Sequence, residues 1–291
     1  MLPLAFAVAC SLAIATIFKV AARLELDPLT LLTVNYGAGA FVALAFILAE
    51  PGDRPGGLGL DPGLVVLGLG TGALFIAGFF VYALAVQEAG MAMASAVMRL
   101  AVVLPFLASW LIWGEIPTSG QLIGLGVAGL AFVLLTRPTH QDAPHATRSG
   151  ASWRLVRVLG LLFLAGGLGD VAMKVFSEHY GATHSSALFG LFLFAAACGI
   201  GLVLVVVRIR RRPTRSELGW GIALGLVNYG SVAFIIAALK ALPGPLVFPF
   251  NNIAIVMGAA VIGVVLWHER LGMANIAGLV LAGLALVLLT M

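Results

Sequence analysis

The sequence predicts an all-α integral membrane protein in which ten transmembrane helices form two inverted five-helix repeats, and three observations carry that prediction. First, 62% of the 291 residues are hydrophobic and only 10% are charged, with a mean hydropathy of +1.12. A soluble domain has roughly 45–50% apolar and about 25% charged residues. Second, apolar runs of about 20 residues, enough to cross a hydrocarbon core of about 30 Å as helices, recur along the whole chain. Third, the chain repeats itself at a spacing of 154 to 155 residues. In lipid the backbone must satisfy its own hydrogen bonds, and runs of this length do so as helices rather than as the alternating strands of a barrel.

The first span covers residues 3–22. No basic residue precedes it and no small-residue cleavage site follows, which predicts a retained helix and not a removed signal peptide. The second, 29–49, closes at the turn-forming "EPGDRPGG". The third, 63–87, contains "GLGTG" at 68–72; no strand precedes it, so close helix packing explains it better than nucleotide binding. The fourth and fifth, 91–113 and 119–136, flank "GEIPT", and the polar "RPTHQDAPHATRSG" leads into the sixth, 155–177. The seventh, 184–207, ends at "RIRRRPTRSE", and the eighth runs over 218–241. The ninth, 246–267, follows Pro243 and Pro245 and contains Pro249, which predicts an irregular helical start. The tenth is 272–290. Cys10 and Cys198 lie within apolar spans and read as small buried hydrophobes, without a disulfide.

At a shift of 154, Trp113 falls on Trp267, Glu115 on Glu269, Gly124 on Gly278, Gly129 on Gly283 and Thr136 on Thr290. At a shift of 155, Lys19 and Val20 fall on Lys174 and Val175. A match kept through helix, loop and helix is a duplication, not shared greasiness. It divides the chain into a first repeat (1–137), a polar linker (138–153) and a second repeat (154–291). A unit of five helices is odd, so the second copy enters the membrane from the opposite face. That architecture belongs to transporters, which need a site that each face can reach in turn.

Loops after odd-numbered spans, with the helix ends beside them, hold Lys19, Arg23, Arg137, Arg148, Arg154, Arg157, Arg208, Arg210, Arg211, Arg212, Arg215 and Arg270, against Arg54, Lys174 and Lys240 on the other side. The asymmetry predicts odd loops in the cytoplasm and both termini outside, in a cell membrane of the bacterial inner-membrane type. The basic balance therefore reflects orientation in the bilayer, and no nucleic-acid partner is expected.

Two five-helix halves, each closing with an apolar helix, then "GE" or "HER", then a Gly-rich helix ("LIGLGVAGLAFVLL", "IAGLVLAGLALVLL"), resemble the EamA-type members of the drug/metabolite transporter superfamily. The resemblance covers nearly the whole chain. It implies a basket of ten helices with a central substrate cavity lined mainly by the first, third and fourth helices of each half. "AMKVFSEHYG" also resembles the end of the first helix of small multidrug resistance proteins. The glutamate those proteins carry eight residues before the lysine is Gly166 here, and Ser11 stands at that distance before Lys19. Proton coupling by that glutamate does not carry over. Family members are often drawn with both termini cytoplasmic, opposite to the charge distribution, which we follow.

Charged and amide residues inside apolar spans are the candidate site residues, because a charge in the membrane costs at least about 2.5–3.5 kcal/mol and must face protein or water. Arg99, deep in the fourth span, can grip a carboxylate or phosphate with two parallel hydrogen bonds; the alternative is a structural cation on helix-end carbonyls. Asp170 and Lys174 lie one turn apart on one helix face and can pair. They form either a structural ion pair or, with Lys19 as the repeat counterpart of Lys174, part of a site that couples a proton or cation to transport. Asn251 and Asn252 are placed on the cavity by the resemblance, the alternative being interhelical hydrogen bonds. Asn228, Tyr229 and Tyr82 lie in spans expected to face the cavity, whereas Tyr36 is expected to pack. Glu115 and Glu269 are expected to fix helix ends.

Metal and catalytic readings fail in context. "WHER" lacks the second histidine of a zinc protease helix, and His140, His145, His179 and His184 have no matching cysteines. No enzyme activity, cofactor or metal is expected. The expected function is secondary transport, by alternating access, of a small polar organic solute that is a metabolite or amino-acid-like compound. The alternatives are a lipid-linked or nucleotide-sugar substrate, or a non-transporting assembly factor or lipid-modifying enzyme. The expected partners are the solute, the bilayer and a coupling proton or cation, with the chain a monomer or homodimer.

Overall fold

A computed structural model describes residues 1–49, 61–135, 153–209, 211–268 and 272–291. These residues form α1 (Leu2–Arg23), α2 (Pro28–Ala49), α3 (Pro62–Leu100), α4 (Val103–Trp113), α5 (Ser119–Leu135), α6 (Trp153–Val175), α7 (Ser186–Arg208), α8 (Arg215–Leu239), α9 (Gly244–Trp267) and α10 (Met273–Thr290), with a π turn over Phe176–Tyr180. Among the described residues nine helical segments are long and apolar enough to cross a membrane, and α5 is a shorter apolar helix. Phe41, Leu48 and Leu111 are 71%, 76% and 74% exposed. So many bare large apolar side chains would associate in water, and in a bilayer they face solvent of their own kind.

The third and fourth spans fall at Pro62–Glu88 and Met93–Trp113, as expected. Helical backbone nevertheless runs on through Leu100, and the break falls at Ala101 and Val102. Pro105 is the cause. It has no N–H to give the carbonyl of Ala101, and its ring crowds that carbonyl, so the chain turns with Leu104 N donating to Ala101 O at 3.0 Å. The ninth helix starts regularly despite its prolines, with Pro243 as N-cap, Pro245 in the first turn and Pro249 inside. A proline in the first turn gives up an N–H that has no intrahelical partner there in any case.

The chain forms two compact units, each drawing on both sequence halves: Met1–Ile76 with Ala172–Ala241, and Ala77–Val171 with Leu242–Met291. In the first unit α2 packs on α7 and α8, and α1 packs on α8. Small residues set these approaches. A Cβ at Gly225 would lie 2.5 Å from Asn35 O, and one at Gly68 would lie 2.5 Å from the Phe192 Cβ, so "GLGTG" is a packing surface of α3 against α7. In the second unit α5 packs on α10 and α4 on α9. Gly124 brings α5 against α10, where a Cβ would lie 3.0 Å from the Leu289 Cγ.

Local chemistry defines the ends. α8 starts with a capping box, Thr214 Oγ1 accepting from Glu217 N at 3.2 Å and Glu217 Oε2 accepting from Thr214 N at 2.7 Å. α4 ends on Gly114 in the left-handed region, φ 69°, where glycine carries no Cβ penalty.

Candidate functional site

The break that Pro105 imposes leaves Arg99 in the last turn of α3, in the second unit. Two glycines of α6 then let that helix approach the break closely. A Cβ at Gly166 would lie 3.3 Å from the Ala101 Cβ, and one at Gly167 would collide with Leu104 and lie 2.8 Å from Ala101 O. Asp170 follows these glycines by three and four positions and so lies on the same helix face. That places Asp170 near enough to Arg99 for their charges to interact, as Tyr82 also does.

Replacing Gly167 by valine is therefore expected to push α6 away from the break. Overpacking of this kind costs about 1–3 kcal/mol. A lower thermal unfolding midpoint in detergent would register it, and an unchanged midpoint would show that the approach is looser than described.

Arg99 Nη1 donates to Asn252 Oδ1 at 3.3 Å, long for a charged donor, whose bonds run to about 2.7–2.9 Å. Asn252 is 9% exposed and its amide is oriented by its own helix, Nδ2 donating to Phe248 O at 3.1 Å. The carbonyl end of the amide is thus the end turned to the guanidinium. Of five guanidinium N–H donors, one is engaged among the described residues, and weakly. Asp170 is half-buried and accepts no hydrogen bond among the described residues. Next to Asn252, the Oδ1 of Asn251 is buried without a hydrogen-bond partner among the described residues. Tyr82 bonds Ser95, hydroxyl to hydroxyl, at 3.1 Å. The cluster thus combines a cation with spare donors, an unsatisfied anion, and amide and hydroxyl groups, all inside helices long enough to span a membrane.

The remaining candidates lie in the first unit, except Glu115 in the second and Glu269 outside the described residues. Asn228 Nδ2 donates to Asn35 Oδ1 at 3.1 Å, joining α8 to α2. Tyr229 is 8% exposed and stacks on Phe46 with ring centroids 5.6 Å apart, near Phe194, so it belongs to an aromatic core. Tyr36 packs there too, 6.3 Å from Phe194. Lys174 is fully buried and donates to Glu178 Oε1 at 2.6 Å, so the carboxylate it meets lies one turn onward, in the π turn. Lys19 is half-buried in α1. Glu115 Oε2 accepts from Gly244 N at 2.8 Å, binding the first N–H of α9. Glu269 and the 138–152 part of the linker lie outside the described residues.

Sequence reasoning did not single out Ser95, Asn35, Glu178 or Ser231, whose hydroxyl bonds that of Ser11 at 3.0 Å. Glu178 alone had a local signal, its spacing four residues after Lys174.

This arrangement defines a class: a multi-pass helical membrane protein with an ionic and amide cluster inside its spans. The model of the EamA-like transporter family matches residues 1–137, consistent with a member of the drug/metabolite transporter superfamily. An uncharacterized protein of Haemophilus influenzae is 27% identical over 95% of this chain and 93% of its own length. A solved crystal structure of a protein with 18% identity has a TM-score of 0.78 and covers 99% of this chain and 94% of its own, which shows the shared fold.

Proposed function

We propose that the protein is a secondary transporter of a small zwitterionic organic solute, such as an amino-acid-like metabolite, bound at the Arg99 cluster. The observation that carries this reading is that Arg99 and Asp170 interact through their charges while, among the described residues, Arg99 makes one long hydrogen bond and Asp170 accepts none. A solute carboxylate would take the free donors of Arg99 and displace the long bond to Asn252, and a solute ammonium would lie against Asp170. A single guanidinium matches one carboxylate better than the diphosphate of a nucleotide sugar. Asp170 would also carry the coupling proton or cation.

The inverted repeat is part of the proposal. Support comes from helix pairs at equivalent positions of the two sequence halves, α2 with α7, α4 with α9 and α5 with α10, which pack together within the units. Exchange of the two halves between conformations would open the site to each face in turn.

Uptake of a panel of labelled metabolites into proteoliposomes, with and without a pH gradient, tests the function. We expect amino-acid-like solutes to be transported and to compete with one another; transport restricted to cations or to sugars would remove the zwitterion reading. Orientation follows the arginine distribution, so a fluorescent protein that matures only in the cytoplasm is expected to stay dark when fused after Met291. Fluorescence of that fusion would invert the topology.

A further inference from the structure

The first unit carries a groove of about 770 Å³ between α2, α7 and α8, separate from every residue of the Arg99 cluster. α2 lines it from Thr30 to Val42, α7 from Cys198 to Val206, and α8 through Ile222 and Leu226. Its stretch of α2 spans about 18 Å at 1.5 Å per residue, close to the depth of one leaflet of a roughly 30 Å hydrocarbon core. The walls are apolar and outward-facing: Phe41 is 71% exposed and Val206 62%. One end is different, because Arg211 and Arg212 line it. Both lie in the loop between the spans that end at Arg208 and begin at Arg215, at the level where a lipid headgroup begins.

That basic end is built rather than merely charged. Glu217, 1% exposed, accepts from Arg211 Nη1 at 2.8 Å and Nη2 at 2.5 Å, and also from Asp27 N at 3.2 Å, so the Arg211 guanidinium is held in one place. Arg212 is exposed beside it. On the groove wall, Thr30 is 2% exposed and its hydroxyl has no hydrogen-bond partner among the described residues. A long apolar trough one leaflet deep, with Arg211 and Arg212 among the residues at one end, has the chemistry to hold a phospholipid: chain along the trough, phosphate at the arginines.

We propose that this groove is a specific site for an anionic phospholipid, whose headgroup phosphate sits on Arg212 and the outer edge of Arg211 and whose acyl chain lies along α2. Charge complementarity decides the headgroup. A zwitterionic lipid offers the same chain, but its own ammonium opposes the arginines.

Native mass spectrometry of the full-length protein, titrated in detergent with dioleoyl-phosphatidylglycerol or dioleoyl-phosphatidylcholine, tests the site. We expect one phosphatidylglycerol to be retained in preference to phosphatidylcholine. Arg212→Gln should reduce that preference about fivefold, the usual effect of one basic residue on an anionic lipid. Gly37→Leu should remove retention of both lipids, because a Cβ at Gly37 meets only the Cys198 sulfur, at 3.4 Å, and a larger side chain fills the groove while leaving the arginines in place. Circular dichroism melts check that both variants fold, and a variant that fails is replaced by Arg212→Ala or Gly37→Ile. Equal retention of the two lipids, an unchanged preference in Arg212→Gln, or displacement of the lipid by millimolar inorganic phosphate would overturn the proposal. So would a dimer that Gly37→Leu dissolves with no lipid retained, which would make a second copy the occupant.

Discussion

Arg99→Gln is expected to weaken binding of a carboxylate-bearing solute by roughly 10- to 100-fold, with Arg99→Lys intermediate. Glutamine removes the charge and the fork of donors, whereas lysine keeps the charge and loses the planar geometry that grips two oxygens at once. The scale is that of hydrogen bonds to charged groups, about 1.5–3 kcal/mol each. Folding should survive, because Arg99's contact to Asn252 is long and Asn252 remains anchored to Phe248 O. Removing the cation does leave Asp170 facing no positive charge, so the Arg99→Gln/Asp170→Asn double variant is the control. If the single variant failed to fold and the double variant folded, the loss would belong to Asp170 rather than to the solute. Affinities measured on protein that passes the folding check decide the matter, and wild-type affinity in both Arg99 variants would end the substrate role.

Asp170→Asn is expected to abolish accumulation driven by a pH gradient while solute exchange across the same membrane remains measurable. The amide keeps shape and hydrogen bonding but cannot gain or lose the charge that links proton occupancy to solute occupancy. The residue is suited to that role because it is half-buried, interacts with the Arg99 charge and accepts no hydrogen bond among the described residues. A carboxylate already tied down by several donors would have little to gain from a proton. Comparing uphill uptake with counterflow in proteoliposomes separates the two functions. Undiminished accumulation in a folded Asn variant would return Asp170 to an ordinary structural charge.

The sequence made the helices legible because membrane spans announce themselves by composition and length, with no tertiary information required. It also identified the rare polar residues inside them. It could not tell which of those residues meet, since that depends on how each helix is rotated and how closely neighbours approach. Lys174 stands one turn from both Asp170 and Glu178, and only the folded chain shows it bonded to Glu178. Asp170 comes within electrostatic range of Arg99 because Gly166 and Gly167 admit α6 to a break made by Pro105, a chain of causes running through three separate segments. Tyr229, in a span expected to face the cavity, lies in an aromatic core because Phe46 and Phe194 flank it. Glu115 was legible as a helix-end acid, but the end it holds is that of α9, not its own.

The central claim is that one solute lies between a guanidinium and a carboxylate. Equilibrium binding of the transported solute and two analogues, one with the carboxylate amidated and one with the amine removed, measured by isothermal titration on wild type, Arg99→Gln and Asp170→Asn, tests it directly. The account predicts that wild type rejects both analogues, that Arg99→Gln no longer distinguishes carboxylate from amide, and that Asp170→Asn no longer distinguishes amine from its absence, each variant losing one preference and keeping the other. Retention of both preferences in both variants would contradict it.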